Sequence, residues 1–215
     1  MNITIIGTGN VGKALGTSLT GAGHAVTFAA QDAAKTATVA AAVGASTAAN
    51  IVDAVEAADV VILAVPYTAA AEVVAEIAPA AAGKVIIDAT NPLKPDYSGL
   101  STAGGPSGAE ILAASLPGAQ VVKAFNTMFA SIQGNAASLG TVLDALFATD
   151  DDDARASFVA LASSIGFRPV YVGPLAAARE LEGMAWLNIR LQMITSGTWQ
   201  SSYVLVGAPA AAIAA

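Results

Sequence analysis

Gly7, Gly9 and Gly12 stand at the spacing GxGxxG, in the stretch Gly7-Thr8-Gly9-Asn10-Val11-Gly12. Residues of this kind, so spaced, can hold a diphosphate against bare backbone. Gly7 lets the chain turn sharply, Gly9 lets a pyrophosphate approach the main chain, and Gly12 lets a helix pack close. The phosphates then face unpaired N–H groups at a helix start, where the dipole favours negative charge. The spacing alone is a weak signal, and its context strengthens it. A β-branched run, Asn2-Ile3-Thr4-Ile5-Ile6, precedes it. A helical pattern follows, with Val11, Ala14, Leu15 and Leu19 on one face. Strand, glycine turn and helix in that order mark a dinucleotide-binding site.

Further candidates follow the ends of later strands, on the carboxyl edge that lines the crevice of such folds. After the second strand come Ala30, Gln31 and Asp32, with Lys35 the only nearby cation. Asp32 has the spacing of a carboxylate that binds the ribose 2′-OH, and equally the place of an N-cap for the next helix. After the fourth strand come Pro66 and Tyr67, whose ring either stacks on a ligand or packs. After the fifth comes Asn91-Pro92: Asn91 offers a donor and an acceptor to a nicotinamide amide or a substrate, or is a turn residue before Pro92. After the sixth come Asn126, Thr127 and Met128, expected to face the same crevice. Arg179 opens the last helix and either pairs with Glu180 or Glu182 or meets an anionic substrate group. His24, on the opposite edge, reads as structural. Asp150 to Asp153 read as a helix cap, because adjacent carboxylates do not converge on one ion. No metal site and no catalytic side chain are assigned.

Composition excludes several classes. A net charge of −7 with nine Lys plus Arg argues against nucleic acid as a partner. The absence of cysteine excludes disulfides and thiolate catalysis, and a single histidine disfavours a His-based triad or a multi-His metal site. Because the chain opens on its glycine-turn strand, no signal peptide and a cytoplasmic location are the expectation. Residues 191–215 carry no charge, but Ser, Thr, Gln, Gly and Pro209 interrupt them, so a membrane span is not expected.

The elements that must position these residues alternate strand and helix, which predicts an α/β fold with a doubly wound, mostly parallel sheet of the Rossmann kind. Strands are expected at Ile3–Ile6, Ala25–Ala29, Ser46–Thr47, Val60–Val65, Lys84–Ala89 and Gln120–Phe125. The intervening helices are expected at Val11–Leu19, Ala33–Val43, Ile51–Ala57, Thr68–Ile77 and Ala109–Ser115, with a long loop from Thr90 to Gly108. Two extra strands, Val142–Ala148 and Pro169–Val172, flank a helix over Asp153–Ser164. A helix over Leu175–Ser196 follows, with Leu181, Met184, Ala185, Leu187, Asn188, Leu191 and Ile194 near one stripe. The whole, 1–215, reads as one domain with a C-terminal extension from about residue 175. Its apolar tail, with Trp199, Tyr203 and Leu205, predicts a homodimer in which this segment helps to close the acceptor site.

Four blocks carry a family resemblance: Ile5 to Gly12; Val60-Val61-Ile62-Leu63-Ala64-Val65-Pro66-Tyr67; Val121-Val122-Lys123-Ala124-Phe125-Asn126-Thr127; and Gly166-Phe167-Arg168-Pro169-Val170 through Gly173-Pro174-Leu175 to Arg179-Glu180-Leu181-Glu182. With these the chain resembles the small NADP oxidoreductases that use the deazaflavin coenzyme F420, and the related NADPH-binding domain of membrane ferric reductases. The resemblance implies hydride exchange between NADP(H), favoured over NAD(H), and a flat redox partner such as F420. It implies a cofactor site of Gly7, Thr8, Gly9, Asn10, Val11, Gly12, Ala30, Gln31, Lys35, Ala64, Val65, Pro66 and Asn91. Tyr67, Pro92, Asn126, Thr127, Met128 and Arg179 are then the substrate-pocket candidates. Ala30 and Gln31 stand where family members have a Ser and an Arg, and Asn126 stands where deazaflavin-using archaeal members have a His. Other small acceptors (an imine, a quinone, a flavin or a ferric chelate) and a dinucleotide-binding regulator without turnover are the alternative readings.

Overall fold

The structure, a computed structural model, describes residues 1–209 together with 212 and 213. Its centre is an eight-stranded sheet in the order β3-β2-β1-β4-β5-β6-β7-β8. The strands are β1 (Asn2–Ile6), β2 (Ala25–Ala29), β3 (Ser46–Thr47), β4 (Val60–Leu63), β5 (Val85–Asp88), β6 (Gln120–Ala124), β7 (Asp144–Thr149) and β8 (Arg168–Gly173). Those up to β6 run parallel, so the expected doubly wound, Rossmann-like α/β sheet is formed, with two added strands. β7 pairs antiparallel with β6, and β8 is parallel to β7.

Helices cover both faces, as parallel strands require. They are α1 (Asn10–Gly21), α2 (Ala33–Val43), α3 (Ile51–Glu56), α4 (Tyr67–Ile77), α5 (Gly108–Ala114), α6 (Ala130–Gln133), α7 (Asp152–Ser164) and α8 (Ala178–Thr195). Strand side chains alternate between two cores. Ile3, Ile5, Val60 and Ile62 meet α1, α2, α6 and α7 on one side. Ile6, Val61, Leu63 and Ile86 meet α3, α4 and α5 on the other. All of β4 and β7 is buried, hence the continuous apolar runs there. Phe147, Phe158 and Phe125 form an aromatic stack at the α7 side, with centroids 4.5 and 5.2 Å apart.

Most element boundaries agree with the sequence reading within two residues, but α6 was not foreseen and the α8 stripe divides. Leu181, Ala185, Asn188 and Ile189 face inward, while Leu187, Leu191 and Ile194 are exposed. Leu181, Ala185 and Asn188 are spaced three to four residues apart, as Leu187, Leu191 and Ile194 are, so periodicity alone does not separate them. Asp151 caps α7 by accepting from Ala154 N at 2.8 Å, and Asp150 accepts from Leu175 N at 3.0 Å. His24 bonds Ser164 Oγ at 2.8 Å on the amino edge of the sheet. Among the described residues no helix is long and apolar enough to cross a membrane.

Candidate functional site

The glycine turn is built as its spacing requires, with one refinement. Gly7 has φ +119°, a conformation L side chains rarely adopt, and a Cβ there would strike the Ala64 carbonyl. A Cβ on Gly12 would strike the Gly7 carbonyl, so Gly12 packs α1 against the turn itself. Gly9 differs from both: nothing lies within 4 Å of its would-be Cβ. That open space is where a bulky anion has room.

The helix starts around this space are open as well. α1, which begins at Asn10 and Val11, has no side-chain cap on its N-terminus, and neither has α4 behind Pro66. By contrast α2, α3, α5 and α7 are capped by Asp32, Asn50, Ser107 and Asp151. Uncapped first-turn N–H groups need another partner, and an anion is the natural one. A cavity of about 370 Å³ lies beside the glycine turn and the first turns of α2 and α4; Asn10, Val11, Gly12 and Asn91 do not line it. Gly7, Thr8, Gly9, Ala30, Gln31, Lys35, Ala64, Val65 and Pro66 all line it, as do Asp32 and Glu72. Asp32 is the N-cap of α2, accepting from Lys35 N at 2.9 Å. Gln31 Nε2 donates across the cavity to Glu72 Oε1 at 3.2 Å.

The ends of β5 and β6 form a second group. Asn91 Nδ2 donates to the Asn126 carbonyl, and Asn126 Nδ2 donates to Asn91 Oδ1 and to the Leu181 carbonyl, each at 3.1 Å. Phe125, fully buried, has φ +61°, uncommon for a bulky residue. The buried Gln133 secures this turn by donating to the Phe125 carbonyl at 2.8 Å.

Four of the six substrate-pocket candidates are less accessible than their positions suggest. Pro92, Asn126, Thr127 and Met128 are buried, Met128 among the core side chains under α6 and α7. For Asn126 and Thr127 the cause is the C-terminal segment, whose Leu181 carbonyl accepts from Asn126. Asn188 of α8 donates to both the Thr127 and the Ser201 carbonyls, at 3.2 and 3.3 Å, pinning the chain after α8 over the β6 end. Arg179 is also placed differently from its expected pairing with Glu180 or Glu182. Its guanidinium makes a bidentate pair with Glu110 on α5, at 2.8 and 2.6 Å. This pair holds the Glu110 carboxyl at about 2, against an ordinary 4.5.

Two further cavities flank the strand ends. One, of about 580 Å³, lies between the start of α1 and the returning tail, lined by Asn10, Lys13, Phe129, Ser131, Thr198 and Trp199. The Phe129 and Trp199 rings meet edge to face at 5.2 Å. Ser131 Oγ donates to the Trp199 carbonyl at 2.7 Å, and Trp199 N donates to Gln192 Oε1 at 2.9 Å. The other, of about 520 Å³, is an apolar groove between α4 and α5 with Tyr67 at its rim. Burial raises the Tyr67 phenol above its ordinary value, and the nearby Glu182 and Asp88 carboxylates raise it further.

Sequence reasoning missed the charged cluster beneath these strand ends. Lys123 Nζ donates to Asp88 Oδ2 at 2.8 Å and to the Thr90 carbonyl at 2.7 Å, and lies 3.2 Å from Glu182 Oε1. All three side chains are at most 1% exposed. Glu182 also accepts from Gly108 N and Ala109 N at the start of α5. The signal was available: a lysine inside the apolar strand Gln120–Ala124 can be buried only with a partner.

Residues 2–92 match the family described as NADP oxidoreductase, coenzyme F420-dependent. They run from β1 to the turn after β5 and include every residue lining the glycine-turn cavity. That stretch is similar to the domain of that family. The metalloreductase STEAP3 of Rattus norvegicus is 28% identical over 183 residues, or 85% of this chain and 36% of that relative, so the chain spans about a third of its length. A solved protein of Arthrobacter sp. FB24, provisionally named an F420-dependent NADP reductase, superposes with a TM-score of 0.86 at 24% identity, covering 95% of this chain and 99% of that one. An imine reductase of Aspergillus terreus, solved with NADPH4, superposes with a TM-score of 0.68 at 25% identity, covering 91% of this chain and 63% of that one.

Proposed function

We propose that this domain transfers a hydride between NADP(H) and a flat redox acceptor, with coenzyme F420 the acceptor the family favours. One observation supports this reading above the others: the open Gly9, which precedes the uncapped α1, and Pro66, which precedes the uncapped α4, line a single cavity. The α1 N–H groups and Gly9 take the pyrophosphate; Ala30, Gln31 and Lys35 lie at the adenosine end. Ala64, Val65 and Pro66 form the wall, and Asn91, fixed by its reciprocal bonds to Asn126, has one amide N–H left to offer the nicotinamide amide. When bound, the nicotinamide supplies or accepts the hydride. The chain's own work is to align two rings and keep water out; the proton that accompanies the hydride onto the acceptor comes from solvent, so little acid–base help is needed.

The cavity walled by Asn10, Lys13, Phe129 and Trp199 is the seat we assign to the acceptor, because it adjoins the glycine turn. Two aromatic faces suit a flat ring, and Lys13 suits an anionic substituent. The exposed stripe of Leu187, Leu191 and Ile194 supports a homodimer, with the whole of 1–215 acting as one cytoplasmic NAD(P)-binding unit. The test is NADPH incubated with the protein and, separately, F420, a flavin, a quinone, a cyclic imine and a ferric chelate, following absorbance. Turnover with F420 supports the first choice. Turnover with another acceptor alone reassigns the substrate. Tight NADPH binding with no acceptor reduced supports a regulator instead.

A further inference from the structure

We propose that Glu72 is the specificity-determining residue at the adenosine end of the cavity, and that it acts against a 2′-phosphate. This rests on the dinucleotide site proposed above and goes beyond it, since specificity in such folds is normally sought at the end of the second strand. Here that position offers only Ala30 and Gln31. Neither carries a charge that could tell a 2′-hydroxyl from a 2′-phosphate.

The charged groups lining the cavity are Asp32, Lys35 and Glu72. Asp32 is engaged as the cap of α2, through the backbone N–H of Lys35. Glu72 comes from α4, 41 residues beyond Gln31, and reaches the same cavity from the opposite wall. Gln31 turns its amide to it, with Nε2 donating to Glu72 Oε1 at 3.2 Å. Among the described residues no ion pair includes Glu72. Among the described residues its second oxygen, Oε2, accepts no hydrogen bond.

A dinucleotide with its pyrophosphate at Gly9 extends its adenosine toward Gln31 and Glu72. Ribose hydroxyls are donors, and a carboxylate accepts from them in strong charge-assisted bonds. A 2′-phosphate brings roughly −1.5 to −2 charge and acceptor oxygens only. Placed beside Glu72 and Asp32, with Lys35 the one cation on the lining, it meets like charge. Discrimination is a difference of two affinities, and an unpaired like charge sets it as surely as a new contact. Glu72 therefore narrows whatever margin NADP(H) holds over NAD(H) in this chain.

The experiment is fluorescence titration of NADPH and of NADH into the wild-type protein, Glu72→Gln and Glu76→Gln. Glu76 is the control: it lies one turn further along α4 and is exposed, as Glu72 is, but does not line the cavity. Glu72→Gln should lower the ratio of the NADPH Kd to the NADH Kd by roughly threefold to tenfold. The gain should shrink as salt rises, because screening removes what the charge imposed. Glu76→Gln should leave the ratio unchanged. An unchanged or raised ratio in Glu72→Gln overturns the inference while leaving the dinucleotide site intact. Failure of the wild-type protein to bind either dinucleotide overturns the site, and the inference with it.

Discussion

Replacing Lys123 with methionine isolates the charged cluster under the strand ends. Methionine keeps the length and the apolar stem, so packing changes little and the ammonium alone is lost. Asp88 and Glu182, 0% and 1% exposed, then share a closed space without a cation. The Thr90 carbonyl loses its donor. Asp88 retains only Thr90 N, at 2.9 Å, and Glu182 only the two N–H groups at the α5 start. Removing one partner of a buried, hydrogen-bonded charge group costs about 3–5 kcal/mol. Against a typical total of about 5–15 kcal/mol, this is a large share of the stability. Equilibrium urea unfolding, followed by far-UV circular dichroism, reads it as a lower midpoint at unchanged slope. Adding Asp88→Asn to the variant should recover about 0.5–3 kcal/mol, because one of the stranded carboxylates disappears. A loss below about 1 kcal/mol in the single variant would refute the reasoning, since exposed pairs are worth that much.

Gly9→Val should leave the fold intact, because φ is −76° and the added side chain meets open space. Its dinucleotide affinity should fall at least about a hundredfold; unchanged affinity in a folded variant refutes the pyrophosphate site. Trp199→Ala should raise KM for the acceptor while the NADPH Kd stays constant, because the ring walls the acceptor cavity and not the glycine-turn cavity; a matching loss of NADPH affinity would contradict that division. Arg179→Ala should be less stable than the wild-type protein at pH 7. Glu110 is held at about 2 against an ordinary 4.5, so its contribution is fully present above 4.5 and fades as pH falls toward 2. The gap between variant and wild type should close across that window in pH-dependent urea melts, and a gap constant with pH would count against the pair.

How far the sequence was legible depended on whether the deciding signal was local. The glycine turn and β4 were plain, because one is a spacing and the other an unbroken apolar run in a fully buried strand. The direction of β7 was not, because it follows from how residues 125–143 return to the sheet, including the short α6. Neither was the outward turn of Leu187, Leu191 and Ile194, which share their spacing with the inward set. Asn126, Thr127 and Met128 were correctly placed after β6, yet the burial of Asn126 and Thr127 depends on Leu181 and Asn188 of α8, 55 and 61 residues away. Lys123 was quoted within a motif and read only as part of it. Its isolation among Val121, Val122 and Ala124 was the sign of a buried partner. Gln31 was read for its own side chain, whereas its contact with Glu72 appears only when α4 is set beside β2.

The central claim is direct transfer between two rings held in adjoining cavities. NADPH deuterated at the transferring position of nicotinamide C4, mixed with the protein and F420, tests it when the reduced acceptor is weighed by mass spectrometry. Direct transfer predicts one deuterium in each reduced acceptor, its appearance slowed by the isotope and absent with Gly9→Val. Reduced acceptor carrying solvent hydrogen, or none formed while NADPH stays bound, would contradict it.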